Sequence, residues 1–87
     1  MMYSFEQLIE DVRHGREIEF RINGADYSIT NTEMGWQVAE NDRLLVSEIS
    51  NDEALIEILK NEVVLKEKSI KDIFDHVLYD KESLFIL

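Results

Sequence analysis

The sequence predicts an α+β fold in which an antiparallel meander of three or four strands packs against helices, in the order α-β-β-β-β-α-α. Three observations predict it: an amphipathic helical segment opens the chain, an Asn-Gly turn then joins two alternating segments, and two further helical segments with caps follow. A chain of 87 residues is long enough for one hydrophobic core and too short for two. We therefore expect residues 1–87 to form a single acidic α+β domain.

The first element is a helix that we predict from about Phe5 to His14. Its apolar residues recur at the spacing i, i+3, i+4, i+7, which lines one face of a helix: Phe5, Leu8, Ile9 and Val12. Ser4 precedes this stripe as the N-cap, and Gln7 completes a capping box. Gly15 marks the end of the helix.

The next two elements are predicted to form a β-hairpin that turns at Asn23-Gly24. Both residues tolerate the positive φ angles of a two-residue type I′ turn. Counting outward from the turn gives three cross-strand pairs on the core face: Ile22 with Ala25, Phe20 with Tyr27, and Ile18 with Ile29. On the other face, the same register sets Arg21 opposite Asp26.

Two more strands extend this hairpin into a meander. A turn over residues 31–35 leads into a strand that carries Trp36 and Val38, and the Asn41-Asp42 turn leads into a strand from Leu44 to Ile49. Trp36 is predicted to lie in the core, with an exposed anchor for a partner as the alternative. The apolar face of the meander then needs a cover.

Helices in the second half are expected to provide that cover. Ser50 and Glu53 predict a capping box ahead of a helix over Asn51 to Lys60. Ser69 predicts the N-cap of a last helix from about Ile70 to Leu78.

Two segments around these helices are less regular. Residues 61–68 fit a brief extended link at Val63 to Leu65, with continuation of the preceding helix as the alternative. The apolar end of the chain, Ser83 to Leu87, is expected to dock on a sheet edge or on a partner, because a free tail would expose it to water.

Charge and composition argue against several classes of function. Nineteen acidic and nine basic residues give a net charge of -10, which repels nucleic-acid phosphates and anionic membranes. No apolar stretch approaches the roughly 20 residues that cross a bilayer, and no signal peptide is recognisable. The chain has no cysteine, so it has no disulfide and no thiolate metal site. We expect a cytoplasmic protein that contacts neither nucleic acid nor membrane.

No residue pattern predicts catalysis, a metal or a cofactor. The nearest approach to a metal site is the line Asp72, His76, Asp80, at i, i+4, i+8 of an extended helix, with Asp75 adjacent. The second histidine that such zinc motifs carry one turn away is missing, so we interpret His76 as a solvated residue at a helix end. His14 is interpreted as a favourable cation at the end of the first helix. The sequence therefore predicts a protein that is not an enzyme.

The function that the charge favours is a non-enzymatic binding module of accessory, immunity or inhibitor type, which engages a basic surface of a partner protein. The predicted contact residues are acids along the first helix and the start of the hairpin: Glu6, Glu10, Asp11, Glu17 and Glu19. One alternative is a nucleic-acid mimic that inhibits a host-defence nuclease. Another is a homodimeric structural or assembly protein, joined through the apolar residues Leu84, Phe85, Ile86 and Leu87.

Five segments together form a recognisable pattern: Phe5 to Val12, Gly15 to Phe20, Asn23 to Ile29, Gly35-Trp36, and Ser69 to Phe74. In this pattern the chain resembles a group of small uncharacterised acidic proteins from Gram-positive bacteria and their mobile elements. The resemblance implies the same succession of helix, hairpin and Gly-Trp strand, and a bacterial cytoplasmic setting. It implies no active site.

Overall fold

The computed structural model describes residues 2–87 and confirms the predicted α+β fold. Its helices are α1 (Phe5–Arg13), α2 (Asp52–Asn61) and α3 (Ile70–Asp75). Its strands are β1 (Ile18–Ile22), β2 (Ala25–Thr32), β3 (Gly35–Glu40), β4 (Arg43–Ile49), β5 (Val64–Leu65), β6 (Lys68–Ser69) and β7 (Phe85–Ile86). A short 3₁₀ turn over Lys81–Ser83 leads into β7.

Five of the strands form one antiparallel sheet in the order β4-β3-β2-β1-β7. The predicted meander makes up four of them, and the end of the chain returns to add the fifth. Within β7, Ile86 lies opposite Ile18 and Phe85 lies opposite Glu19 of β1. The prediction that the apolar end docks on a sheet edge is therefore confirmed.

The hairpin at Asn23-Gly24 has the predicted register, and its six core-facing side chains are all buried: Ile18, Phe20, Ile22, Ala25, Tyr27 and Ile29. The rings of Phe20 and Tyr27 stack with their centroids 5.5 Å apart. Because successive side chains alternate between the faces of a strand, Arg21 and Asp26 point to the opposite face. There the Arg21 Nε atom lies 2.7 Å from Asp26 Oδ1, as predicted.

The three helices cover the inner face of the sheet and close the core. The predicted stripe of α1 is buried in full, and the ring of Phe74 on α3 lies edge-on to that of Phe20, with 5.0 Å between the centroids. Trp36 is only 1% exposed, which confirms the prediction that it belongs to the core. Its indole N–H donates to Asp52 Oδ1 at 3.0 Å, so it also anchors the start of α2 to β3.

Two helix ends differ from the prediction. The N-cap of α2 is Asn51, whose side chain accepts from the Ala54 N–H, so the predicted capping box of Ser50 and Glu53 is wrong. Asparagine is as good an N-cap as serine, and sequence alone does not separate the two. α3 ends at Asp75, three residues before the predicted end, because Val77 adopts a left-handed φ of 52° and turns the chain away.

α2 ends at Asn61, and residues 62–68 do not continue it. β5 pairs with β6 in a small antiparallel hairpin, which confirms the extended segment and excludes the helical alternative. Its two turn residues, Lys66 and Glu67, have φ angles of 52° and 68°. Both are exposed residues with a Cβ in a left-handed turn, where asparagine and glycine are usual.

Candidate functional site

The structure does not bring the five predicted contact acids onto one surface. Glu6 and Glu10 lie exposed on the outer side of α1. Asp11 accepts a hydrogen bond of 2.6 Å from the Tyr3 hydroxyl, and Glu17 accepts one of 2.9 Å from the Asn31 N–H. These two carboxylates hold the fold together, which leaves them less able to turn toward a partner.

Glu19 lies on the other side of the molecule. It is the exposed residue between the buried Ile18 and Phe20 on β1, so it points away from the helices. Among the predicted contact acids it is therefore the one that faces outward from the uncovered side of the sheet.

Two carboxylates, those of Asp11 and Glu40, accept hydrogen bonds from tyrosine hydroxyls and so have a structural role. Burial, together with the hydrogen bond to Asp11, raises the pKa of the Tyr3 hydroxyl well above its ordinary value. Burial and the 2.6 Å hydrogen bond to Glu40 raise the pKa of Tyr27 to about 12. Both phenols stay protonated at neutral pH and act as hydrogen-bond donors.

The outer face of the sheet carries a transverse row of side chains set by the strand register. From β7 to β4 the row consists of Phe85, Glu19, Ser28, Ala39 and Leu44. The apolar side chains at its two ends are exposed, Phe85 by 58% and Leu44 by 52%. The outer face thus offers apolar contacts at both edges, while the side chains at its centre are polar or small.

A groove of about 610 Å³ opens on this face, between the C-terminal segment and the turn that joins β3 to β4. Its floor is built from residues of β1 and β2: Glu19, Arg21, Asp26 and Ser28. Its walls are the C-terminal residues Glu82, Ser83 and Phe85 on one side and the turn residues Asn41 and Asp42 on the other. We refer to these nine residues as the sheet groove.

Hydrogen bonds fix both walls of the sheet groove to its floor. The Arg21 N–H donates to Ser83 Oγ at 2.8 Å. Across the floor, the Asp26 N–H donates to Asn41 Oδ1 at 3.0 Å, and the Asn41 N–H donates back to the Asp26 carbonyl at 2.6 Å. The groove is therefore formed before any ligand binds.

Carboxylates dominate the charge of the sheet groove. Its one cation, Arg21, is paired with Asp26, and this hydrogen bond raises the pKa of the Arg21 guanidinium above its ordinary value. Glu19, Asp42 and Glu82 make no ion pair within the described residues. The groove thus presents three carboxylates that its own arginine does not neutralise.

The rest of the molecule supplies few cations to offset them. Six of the nine lysines and arginines pair with acids: Arg13, Arg16, Arg21, Arg43, Lys66 and Lys71. Only Lys60, Lys68 and Lys81 lie outside such pairs in the part of the chain that the structure describes. No acidic side chain of residues 2–87 is buried, so the net charge of -10 lies at the surface of the molecule.

The line of Asp72, His76 and Asp80 considered as a metal site does not form, because α3 ends at Asp75. Over residues 2–87, no group of three or more histidine, cysteine or acidic side chains is placed to hold a metal ion. Asp75 instead accepts from the Phe5 N–H at 2.9 Å and pairs with Lys71. Lys71, with a further contribution from the Phe5 N–H, holds the pKa of Asp75 below its ordinary value. Asp75 therefore ties α3 to the start of α1.

Sequence reasoning identified Glu19 and missed the rest of the sheet groove. The alternation of β1 and β2 already implied that Glu19, Arg21, Asp26 and Ser28 share the outer face. The C-terminal wall could not be inferred in this way, since no local pattern places the C-terminal segment beside β1.

Comparison with protein-family models, curated proteins and solved structures finds no match to the chain. The resemblance to small acidic proteins of Gram-positive bacteria therefore stays a prediction. In residues 2–87 no helix is long and apolar enough to cross a membrane.

Proposed function

We propose that this protein is a non-enzymatic binding module of accessory, immunity or inhibitor type, which engages a basic surface of a partner protein. The observation that carries the proposal is the set of unneutralised carboxylates on the uncovered face of the sheet, beside the exposed Phe85. Charge complementarity of this kind speeds association and selects the partner, and salt weakens it.

A homodimer is the second candidate, and the exposure of Phe85 and Leu87 favours it. Two observations speak against it. Leu84 and Ile86 pack against the chain's own core, so half of the apolar end is already used. A symmetric contact through this end would also bring two copies of Glu19 and Glu82 together, and like charges that face each other are destabilising.

The proposal is tested by affinity capture of partners from a lysate of the source organism, at about 0.05 M and about 0.5 M salt. We expect a basic protein to be recovered at low salt and lost at high salt. If no protein is recovered at low salt, the proposed function is wrong.

Sedimentation of the purified chain at high concentration separates the two candidates. A monomer over the whole concentration range supports the binding module. A dimer that Phe85→Ser abolishes would favour assembly instead.

A further inference from the structure

We propose that the sheet groove binds a short extended segment of the partner that carries an arginine, with the guanidinium lying over the Phe85 ring and between the carboxylates of Glu19 and Glu82. This inference rests on the proposed function and assigns it a site and a ligand chemistry. Each part of it follows from the position of these residues on the outer face of the sheet.

The arginine end of the groove is defined by cross-strand register. Glu19 and Phe85 are direct partners across β1 and β7, so their side chains are neighbours on the same face. Glu82 lies three residues before Phe85 on the same wall. A cation that lies over the Phe85 ring is therefore within reach of two carboxylates.

Arginine suits this end better than lysine. A guanidinium is planar, more weakly hydrated than an ammonium group, and able to stack on an aromatic ring while it donates to carboxylates in its own plane. Phe85 is largely exposed, so no rearrangement of the core is needed to uncover its ring.

The width of the groove sets the length of the segment. From β7 through β1 and β2 to the Asn41-Asp42 turn there are three strand spacings, or about 14 Å at roughly 4.8 Å each. An extended chain covers that distance in about four residues. A second basic residue about four positions from the arginine would therefore lie near Asp42.

The charges also discriminate between classes of partner. A second copy of this chain, a nucleic acid or an anionic membrane would each set negative groups against Glu19, Asp42 and Glu82. A basic protein segment is the occupant that this groove complements.

The test is an NMR titration of the ¹⁵N-labelled full chain at low salt. The probe is a serine heptapeptide with two arginines four positions apart, and the comparison peptides replace both arginines with lysine or with glutamate. We expect the amide shifts to centre on Glu19, Ser28, Asn41 and Phe85. The arginine peptide is expected to bind roughly two- to fivefold more tightly than the lysine peptide, and the glutamate peptide is expected not to bind.

Variants locate the binding. The double variant Glu19→Gln/Glu82→Gln should lose most of the affinity for the arginine peptide. Its matched control, Glu33→Gln/Glu62→Gln, removes the same charge from two exposed acids outside the groove and should lose little. Phe85→Leu keeps an apolar side chain and should remove only the preference for arginine over lysine. The dispersion of each variant's amide spectrum reports whether it is folded.

Three results would overturn the inference. They are shifts centred on the helical side, equal losses in the two double variants, and unchanged arginine preference in Phe85→Leu. Absence of any shift with both cationic peptides would overturn it as well. None of these decides the proposed function, which depends on whether a basic protein is captured from the lysate.

Discussion

Replacement of Gly35 by alanine tests how closely β3 approaches β4. A Cβ built on Gly35 would lie 2.7 Å from the carbonyl oxygen of Ile49, and the φ angle of Gly35 is +112°, which residues with a side chain rarely adopt. The strained backbone costs about 1 to 3 kcal/mol, and the forced shift of neighbouring backbone costs a similar amount. We expect Gly35→Ala to lower the free energy of unfolding by roughly 2 to 6 kcal/mol, out of a total of about 4 to 13 kcal/mol for a domain of this size.

Gly24→Ala is the matched control. Gly24 also has a positive φ, +82°, but among the described residues no atom outside Gly24 and its two chain neighbours lies within 4 Å of a Cβ built there. Only the backbone contribution applies there, and it amounts to about 1 to 2 kcal/mol.

Urea unfolding measures both variants, with the fluorescence of Trp36 and far-UV circular dichroism as independent probes. Trp36 is the only tryptophan and is buried, so its emission reports the loss of the core. If Gly35→Ala were no more destabilising than Gly24→Ala, the close approach of β3 to the Ile49 carbonyl would be refuted.

Three further predictions concern stability. The double substitution Lys66→Asn/Glu67→Gly relieves the backbone strain of two left-handed residues without changing the net charge. It should raise the free energy of unfolding by about 1 kcal/mol and the melting temperature by roughly 4 to 8 °C. An unchanged melting temperature would contradict this prediction. The pKa of Asp75 is lower in the folded chain than its ordinary value of 3.8. The ionised Asp75 carboxylate therefore stabilises the folded chain above about pH 4, and this stabilisation is lost as the pH falls further. Asp75→Asn should therefore be less stable than the wild type at about pH 6, and the difference between the two should shrink as the pH falls below about 4, as urea unfolding over this pH range would show. Burial raises the pKa of all three tyrosines, that of Tyr27 to about 12. The free energy of unfolding should therefore fall as the pH rises above about 10. An absorbance titration that shows a phenol ionising near pH 10 in the still folded chain would contradict this.

The parts of the fold that the sequence predicted are those that depend on neighbours along the chain. The capping box of Ser4 and Gln7 defines the start of α1, and both of its hydrogen bonds are present. The Asn23-Gly24 turn determines the pairing of β1 with β2, because a two-residue turn admits one register for alternating strands. Neither feature needs information from distant residues.

The parts that were missed depend on tertiary contacts. The sequence predicted that the apolar end docks on a sheet edge or on a partner, but not that it pairs with β1, because β7 has only two residues and shows no periodicity. The early end of α3 follows from Val77 in a left-handed conformation, which a β-branched residue adopts only when its surroundings impose it. Val77 packs against the core, and this contact offers the compensation for the strain.

The C-terminal segment couples the candidate site to the stability of the fold. The Arg21 N–H donates to Ser83 Oγ, the Asp80 N–H donates to the Arg21 carbonyl, and the Leu87 N–H donates to the Glu17 carbonyl, so this segment occupies the outer edge of β1 along its length. The same segment supplies one wall of the sheet groove. A ligand that bridges this wall and the opposite one binds only while the segment is docked, and it must therefore stabilise the docked state. An arginine peptide at 100 times its dissociation constant would add about 2.7 kcal/mol to the free energy of unfolding. It would also slow the exchange of the Leu87 amide hydrogen, because that hydrogen exchanges when the segment opens locally. A peptide that binds only the helical side would leave exchange through this local opening unchanged.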